Sequence, residues 1–158
     1  MNTRKVRPTN DTIQGTALRL LVLFYRVQTE SIPKIRDFLI NFKDTDFTKF
    51  EIKSYDNKDL FYYSVTHCSN SSSVLYSAFG YLKDKRMLEF TSKKTLDGLI
   101  TLYNFRVTAN GIDTIESGDN KKGGRKKLID SFNLNLNFTL DLDSIFKISL
   151  ADLVNSIS

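Results

Sequence analysis

The stretch YLKDKRMLEFTSKKTLDGLITLYNFRVTANGIDTIES, residues 81–117, decides the fold, because its pattern changes character several times along its length. The charged segment ending near Arg86 closes a helix, and the chain then enters a strand through Met87, Leu88, Glu89 and Phe90. Lys93 to Gly98 reads KKTLDG, a turn rich in charge and closed by glycine, and LITLYNFRV after it alternates as a second strand. Thr108 is placed to cap a short helix, ANGIDTIES, that ends near Gly118. The order predicted is helix, hairpin, helix.

Upstream, the cluster SNSSS at 69–73 interrupts the chain and offers several helix caps. The helix it opens runs from Ser72 to Lys85, with Val74, Leu75, Ala78, Phe79 and Leu82 on a buried face and Ser73, Tyr76, Ser77 and Lys83 facing outward. Asn57 can cap an earlier helix, KDLFYYSVTHC, so the two helices form a pair joined by a tight turn. Together, YLKDKRMLEF, the hairpin and FRVTANGIDTIES resemble the recognition helix, wing and closing helix of winged-helix domains, over about 57–116. The resemblance implies a fold and two kinds of role, since winged helices bind DNA in many proteins and form protein contacts in others. For a DNA reader it implies that the helix from Ser72 enters the major groove, with Asn70, Ser71, Ser73, Tyr76 and Ser77 near base edges and Lys93 and Lys94 at the wing tip. Arginine usually makes the strongest base contacts, and none stands in the first turns of this helix. Lys83, Lys85 and Arg86 come too late for deep base contact and suit backbone phosphates.

Nearer the N-terminus, Asn10 or Asp11 can cap a helix whose apolar run to Val27 is broken only by Arg19 and Arg26, as expected of a helix buried on most of its surface. Ser31 and Pro33 give a helix-start signal, and Ile35, Phe38, Leu39 and Phe42 follow at i, i+3, i+4 and i+7, predicting a second helix. The polar segment after it, anchored by Phe47, Phe50 and Ile52, is expected to be a loop holding one short strand. The fold class expected is α+β: a mainly helical winged-helix domain with a β-hairpin wing and a C-terminal strand-helix extension. Its parts are a basic arm over 1–10, the domain over 11–118, a basic flexible loop over 119–130 and the extension over 131–158.

With 158 residues, 41% of them apolar and 26% charged, the chain has the composition of one globular domain plus a tail. The apolar run of the first helix is about half the ~20 residues that a membrane span needs. A single cysteine allows no internal disulfide, and no secretory signal is read at the N-terminus, so a cytoplasmic location is expected. The formal net charge of +5 is unevenly placed. Arg4, Lys5 and Arg7 in the arm, with Lys121, Lys122, Arg125, Lys126 and Lys127 in the loop, account for more than all of it, leaving the body slightly acidic. Flexible phosphate contacts and plain solvated surface both suit such segments.

No catalytic constellation emerges. His67 and Cys68 are neighbours, which a helix or strand points apart, and no other histidine exists to complete a triad or a structural zinc site. KKGGRKK lacks the strand-loop-helix setting of a phosphate loop. No cofactor, metal or small-molecule substrate is expected, and no enzymatic activity.

The tail carries the remaining signal. FNLNLNFTLDLD, 132–143, places Phe132, Leu134, Leu136, Phe138, Leu140 and Leu142 on one strand face, and Ser144 can cap a helix with a stripe that includes Phe146 and Leu150. Such faces need cover, from the chain's own core or from another subunit. Assembly is the favoured use, with these eight residues as the partner surface. The resulting picture is similar to the small middle components of bacterial three-component ABC-ATPase anti-phage systems, which implies a bridge between an SMC-like ATPase and an effector. The rival from another class is a sequence-specific DNA-binding regulator that dimerises through the tail.

Overall fold

The computed structural model describes residues 12–29, 38–43, 50–54, 69, 71–119 and 124–134. The fold is α+β. Its elements in chain order are α1 (Ile13–Thr29), β1 (Phe38–Lys43), β2 (Phe50–Ser54), α2 (Ser72–Asp84), β3 (Leu88–Lys94), β4 (Leu99–Val107), α3 (Ala109–Asp119) and α4 (Gly124–Ser131). The strands form one antiparallel sheet in the order β2-β1-β4-β3.

Helix α1 is the centre of the core. Ala17, Leu18, Leu20, Leu21, Val22, Leu23, Phe24 and Val27 are all buried, as the unbroken apolar run requires. Its cap is Thr12, whose Oγ1 accepts from the Gly15 N–H at 3.0 Å; the two expected caps, Asn10 and Asp11, lie outside the described residues. Farther along, Gln28 reaches β4 and acts as a surrogate strand. The Val107 N–H donates to its Oε1 at 2.9 Å and its Nε2 donates to the Val107 carbonyl at 3.4 Å, which satisfies the end of β4 where the ladder stops.

The expected second helix is corrected at Phe38–Lys43, which is strand β1. FLINFK satisfies a strand alternation as well as a helical stripe: Ile40 and Phe42 are fully buried on one face, while Asn41 on the other accepts a 2.6 Å bond from Thr101 Oγ1. Pairing on both edges, to β2 and β4, decides between the two patterns. The short strand expected within the next segment is β2.

Aromatic packing joins the layers. Phe79 of α2 lies within 6.5 Å, ring to ring, of Phe24, Phe42, Phe90 and Phe105, and Phe105 stacks on Phe24 at 5.0 Å. For Phe105 to face inward, β4 must change phase, because Ile100 and Leu102 already point to the core. The change is a bulge at Asn104, which takes φ 58, and the β3–β4 register shifts opposite it between Glu89 and Thr91. Asparagine tolerates this left-handed conformation better than most residues.

Helix α3 docks on the α2–β3 turn. Thr108 caps it as expected, its Oγ1 accepting from the Gly111 N–H at 3.0 Å. Gly111 is required by proximity, since a Cβ there would meet the Met87 carbonyl oxygen at 2.3 Å. Residues 124–131, most of which were expected to be flexible loop, form α4, held to the core by Leu128, Ile129 and Phe132. Asn133, at φ 57, ends it: the Asn133 N–H donates to the Asp130 carbonyl and the Leu134 N–H to the Ile129 carbonyl, a Schellman turn. The first residues of FNLNLN are therefore a helix stop rather than a strand.

Candidate nucleic-acid interface

Helix α2 begins where the serine cluster predicts. Ser71 is the N-cap, its Oγ accepting from the Val74 N–H at 3.3 Å and lying 3.1 Å from Ser73 Oγ, while its own N–H donates to Ser69 Oγ. Ser71 is thus committed to starting the helix. Leu75, Ala78, Phe79 and Leu82 are buried as expected and Val74 is half-buried. Ser73 and Ser77 are exposed as expected, and Asp84 continues their side of the helix. Gly80 lies on the same side, with no atom of the described residues within 4 Å of where its Cβ would stand.

Of the two other outward readings, Tyr76 is corrected and Lys83 holds. Tyr76 is half-buried, its ring 5.2 Å from that of Phe42 in an edge-to-face contact, because β1 passes beside that flank of the helix. Lys83 is exposed but engaged: its Nζ donates to the Phe90 carbonyl at 3.1 Å and lies 4.7 Å from the centre of the Phe90 ring. The outward surface of the first three turns is consequently two hydroxyls and a glycine, and Lys83, Asp84 and Lys85 are exposed at its far end. Asn70 lies outside the described residues.

The hairpin that the resemblance reads as a wing is β3–β4. Its tip is a tight turn with Gly98 at φ 87, the Gly98 N–H donating to the Thr95 carbonyl at 3.1 Å and the Thr95 N–H to the Leu99 carbonyl at 2.8 Å. Thr95 Oγ1 also bonds Asp97 and accepts from the Leu99 N–H at 3.1 Å, so the turn is rigid. Lys93 and Lys94 are exposed just before it and, as strand neighbours, lie on opposite faces of the ribbon. Leu96 at the apex is wholly exposed.

At the opposite end of β3 stands a feature that the sequence reading placed only by charge. The Arg86 N–H donates to the Lys83 carbonyl and the Met87 N–H to the Leu82 carbonyl, a second Schellman turn, and Arg86 sits at its left-handed position with φ 60. Glycine normally fills that position; a side chain there costs about 1–2 kcal/mol. Neighbours hold the conformation: Thr108 Oγ1 donates to the Arg86 carbonyl at 2.6 Å, Asn110 Nδ2 to the Lys85 carbonyl at 3.1 Å and the Thr108 N–H to the Met87 carbonyl at 3.1 Å. Lys85 Nζ lies 5.7 Å from the centre of the Tyr81 ring, and partial burial raises the pKa of the Tyr81 hydroxyl above its usual value.

The basic segment disperses. Lys121 and Lys122 lie outside the described residues, as does the side chain of Arg125; Lys126 pairs with Asp130 at 3.1 Å one turn away, and Lys127 is exposed. Of the expected partner surface, Phe132 is corrected: it is 1% exposed with its ring 6.0 Å from that of Tyr81, inside the chain's own core. Leu134 is half-buried against the same core. Leu136, Phe138, Leu140, Leu142, Phe146 and Leu150 lie outside the described residues, as do His67 and Cys68. Among the described residues no group of three or more His, Cys, Asp or Glu is placed to hold a metal, and no helix is long and apolar enough to cross a membrane. No protein-family model matches the chain, and no significant match is found to a curated protein or to a solved structure.

Proposed function

We propose that the chain is a winged-helix accessory subunit whose role is assembly with protein partners, with nucleic-acid contact that is independent of sequence. The element order supports the winged-helix reading: α1, β1, then α2 leading through β3 and β4, with β1 paired to β4 so that the wing is an extension of the sheet. The observation that carries the functional reading is the outward face of α2. A base reader needs long donors aimed into the groove, typically arginine or asparagine with bidentate geometry. Ser73, Ser77 and Gly80 offer short or absent side chains, and Asp84 brings like charge toward phosphate. A face of that kind suits close approach by a protein surface. Lys93 and Lys127, exposed and without partners among the described residues, supply the charge for nonspecific phosphate contact. A bridge between an SMC-like ATPase and an effector in phage defence is the specific form of this role.

The test is an affinity isolation of the tagged chain from its native host, with and without nuclease, read by mass spectrometry for stoichiometric companions. A nuclease-resistant companion, above all an ATPase, supports the assembly role. Recovery of the chain alone with a discrete set of DNA fragments would replace it by a sequence-reading regulator.

A further inference from the structure

The backbone takes a left-handed conformation at four described positions, and three have a local reason. Gly98 carries no Cβ, and Asn104 and Asn133 are of a type that tolerates the region. Arg86 has no such reason. It occupies the helix-stop position where glycine would relieve strain, and five hydrogen bonds around the turn hold it there. An unfavourable residue kept in an over-determined conformation points to a use for its side chain.

The side chain itself gives a second, independent observation. Among the arginines whose side chains are described, Arg19 is buried, Arg26 is engaged, and Arg106 pairs with Glu89 at 2.6 Å. Arg86 is exposed and its guanidinium has no partner among the described residues. The charged neighbours in sequence are Lys83, Asp84, Lys85 and Glu89; Lys83 lies against Phe90, Lys85 against Tyr81, and Glu89 is taken by Arg106. On α3, packed against the turn, Asn110 is neutral and donates to the Lys85 carbonyl, and Asp113 is exposed.

We propose that Arg86 is a phosphate-binding residue for duplex nucleic acid, kept at a strained position because its guanidinium is needed there. A guanidinium presents a fork of donors that matches a phosphate, and it stays charged at all physiological pH. Lys93 stands at the other end of β3, about 20 Å away at the ~3.3 Å rise of a strand, or roughly six base pairs along a duplex. The backbone of a duplex offers like anions at that separation without any special sequence. This inference rests on the nonspecific-contact part of the proposed function.

The experiment uses the full chain and a fluorescent duplex of mixed sequence, with anisotropy titrations across a range of salt and a thermal melt of each variant. Arg86→Gly is expected to raise the melting temperature by about 2–4 °C, since it relieves the strain, and to weaken binding about fivefold while reducing the log-log salt slope by about one unit. Arg86→Asn, also at ease in the left-handed region, is expected to weaken binding equally, and Arg86→Lys to keep the slope. Lys93→Glu combined with Arg86→Gly is expected to lower the slope by about two units. If the wild-type chain binds duplex and Lys93→Glu weakens it while Arg86→Gly leaves affinity and slope unchanged, the assignment of Arg86 fails and the wing contact stands. If the wild-type chain binds no duplex, both fail. Weaker binding by Arg86→Lys equal to that of Arg86→Gly, or a melting temperature lowered by Arg86→Gly, also overturns the proposal.

Discussion

Substituting alanine for glycine should have opposite effects at two helical positions of this chain, and the difference follows from what a new methyl would meet. At Gly111 the added Cβ would stand 2.3 Å from the Met87 carbonyl oxygen and 2.8 Å from Val107 Cγ1. The first neighbour is main chain and has no rotamer to escape into, so α3 must retreat by about 1 Å to restore van der Waals separation. The same interface is crossed by the Thr108 N–H to Met87 bond and the Asn110 to Lys85 bond, both 3.1 Å long, which that retreat breaks. Two hydrogen bonds at about 1 kcal/mol each and an overpacking strain of about 1–2 kcal/mol outweigh the ~1 kcal/mol that alanine gains in helix propensity. The expected net loss for Gly111→Ala is about 2 kcal/mol, or a melting temperature lower by about 4–8 °C. At Gly80 nothing among the described residues lies within 4 Å, so Gly80→Ala keeps the propensity gain and should stabilise by about 0.5–1 kcal/mol. Urea unfolding of the three proteins, followed by far-ultraviolet circular dichroism, measures both signs together. A Gly111→Ala protein as stable as the wild type would refute the close docking of α3 on the α2–β3 turn.

Other positions give sharper local tests. Gln28→Ala leaves the Val107 N–H without its 2.9 Å acceptor and should cost about 1–3 kcal/mol, with faster hydrogen exchange at that amide; unchanged exchange would remove the clamp between α1 and β4. Phe79→Ala empties the centre of the aromatic cluster and should cost about 3–5 kcal/mol in chemical denaturation, whereas a loss under ~1 kcal/mol would mean the rings repack without it. Asn104→Val places a β-branched residue at φ 58 and should destabilise by about 1–3 kcal/mol, while Asn104→Gly should stay within ~0.5 kcal/mol; equal effects would show that the bulge is not set by backbone conformation. Lys93→Glu with Lys94→Glu should lower the salt slope of duplex binding by about one unit without changing the melting temperature, since the two lie on opposite faces of the ribbon, and an unaltered slope would take the hairpin out of the contact.

The half of the fold that the sequence made legible is the half built from local signals. The serine cap of α2, the KKTLDG turn, the two strands around it and the Thr108 cap each write their structure within a few residues, and each is found where the residues place it. The misread elements depend on distant partners. FLINFK fits a helical stripe and a strand equally well, and it becomes a strand because β2 and β4 supply hydrogen bonds on both its edges. Residues 124–131 look like a solvated basic loop because five of the eight are charged or glycine, yet Leu128, Ile129 and Phe132 find cover beneath α4. Asn133 then reverses the meaning of the first part of FNLNLN, since a left-handed residue two places into an alternating run ends a helix instead of continuing a strand. Nothing in a period-two pattern distinguishes those cases.

The candidate interface was less legible for a related reason: charge is visible in sequence, but its engagement is not. Lys83, Arg106 and Lys126 count as three cations in composition, and the structure commits each to a neighbour, Phe90, Glu89 and Asp130 respectively. Exposed pairs of this kind contribute at most about 1 kcal/mol to stability, so their main effect is to tie the charge down. Arg86 and Lys93 remain without partners among the described residues, at the two ends of one strand, while the helix that the fold resemblance singles out for reading bases presents serine, glycine and aspartate. In the proposed contact, affinity depends on where unengaged cations are mounted, and Arg86 and Lys93 sit on a strained turn and a hairpin. On the proposed reading, a protein on the outward face of α2 and a duplex along β3 would be held at the same time, as a subunit joining partners on nucleic acid requires.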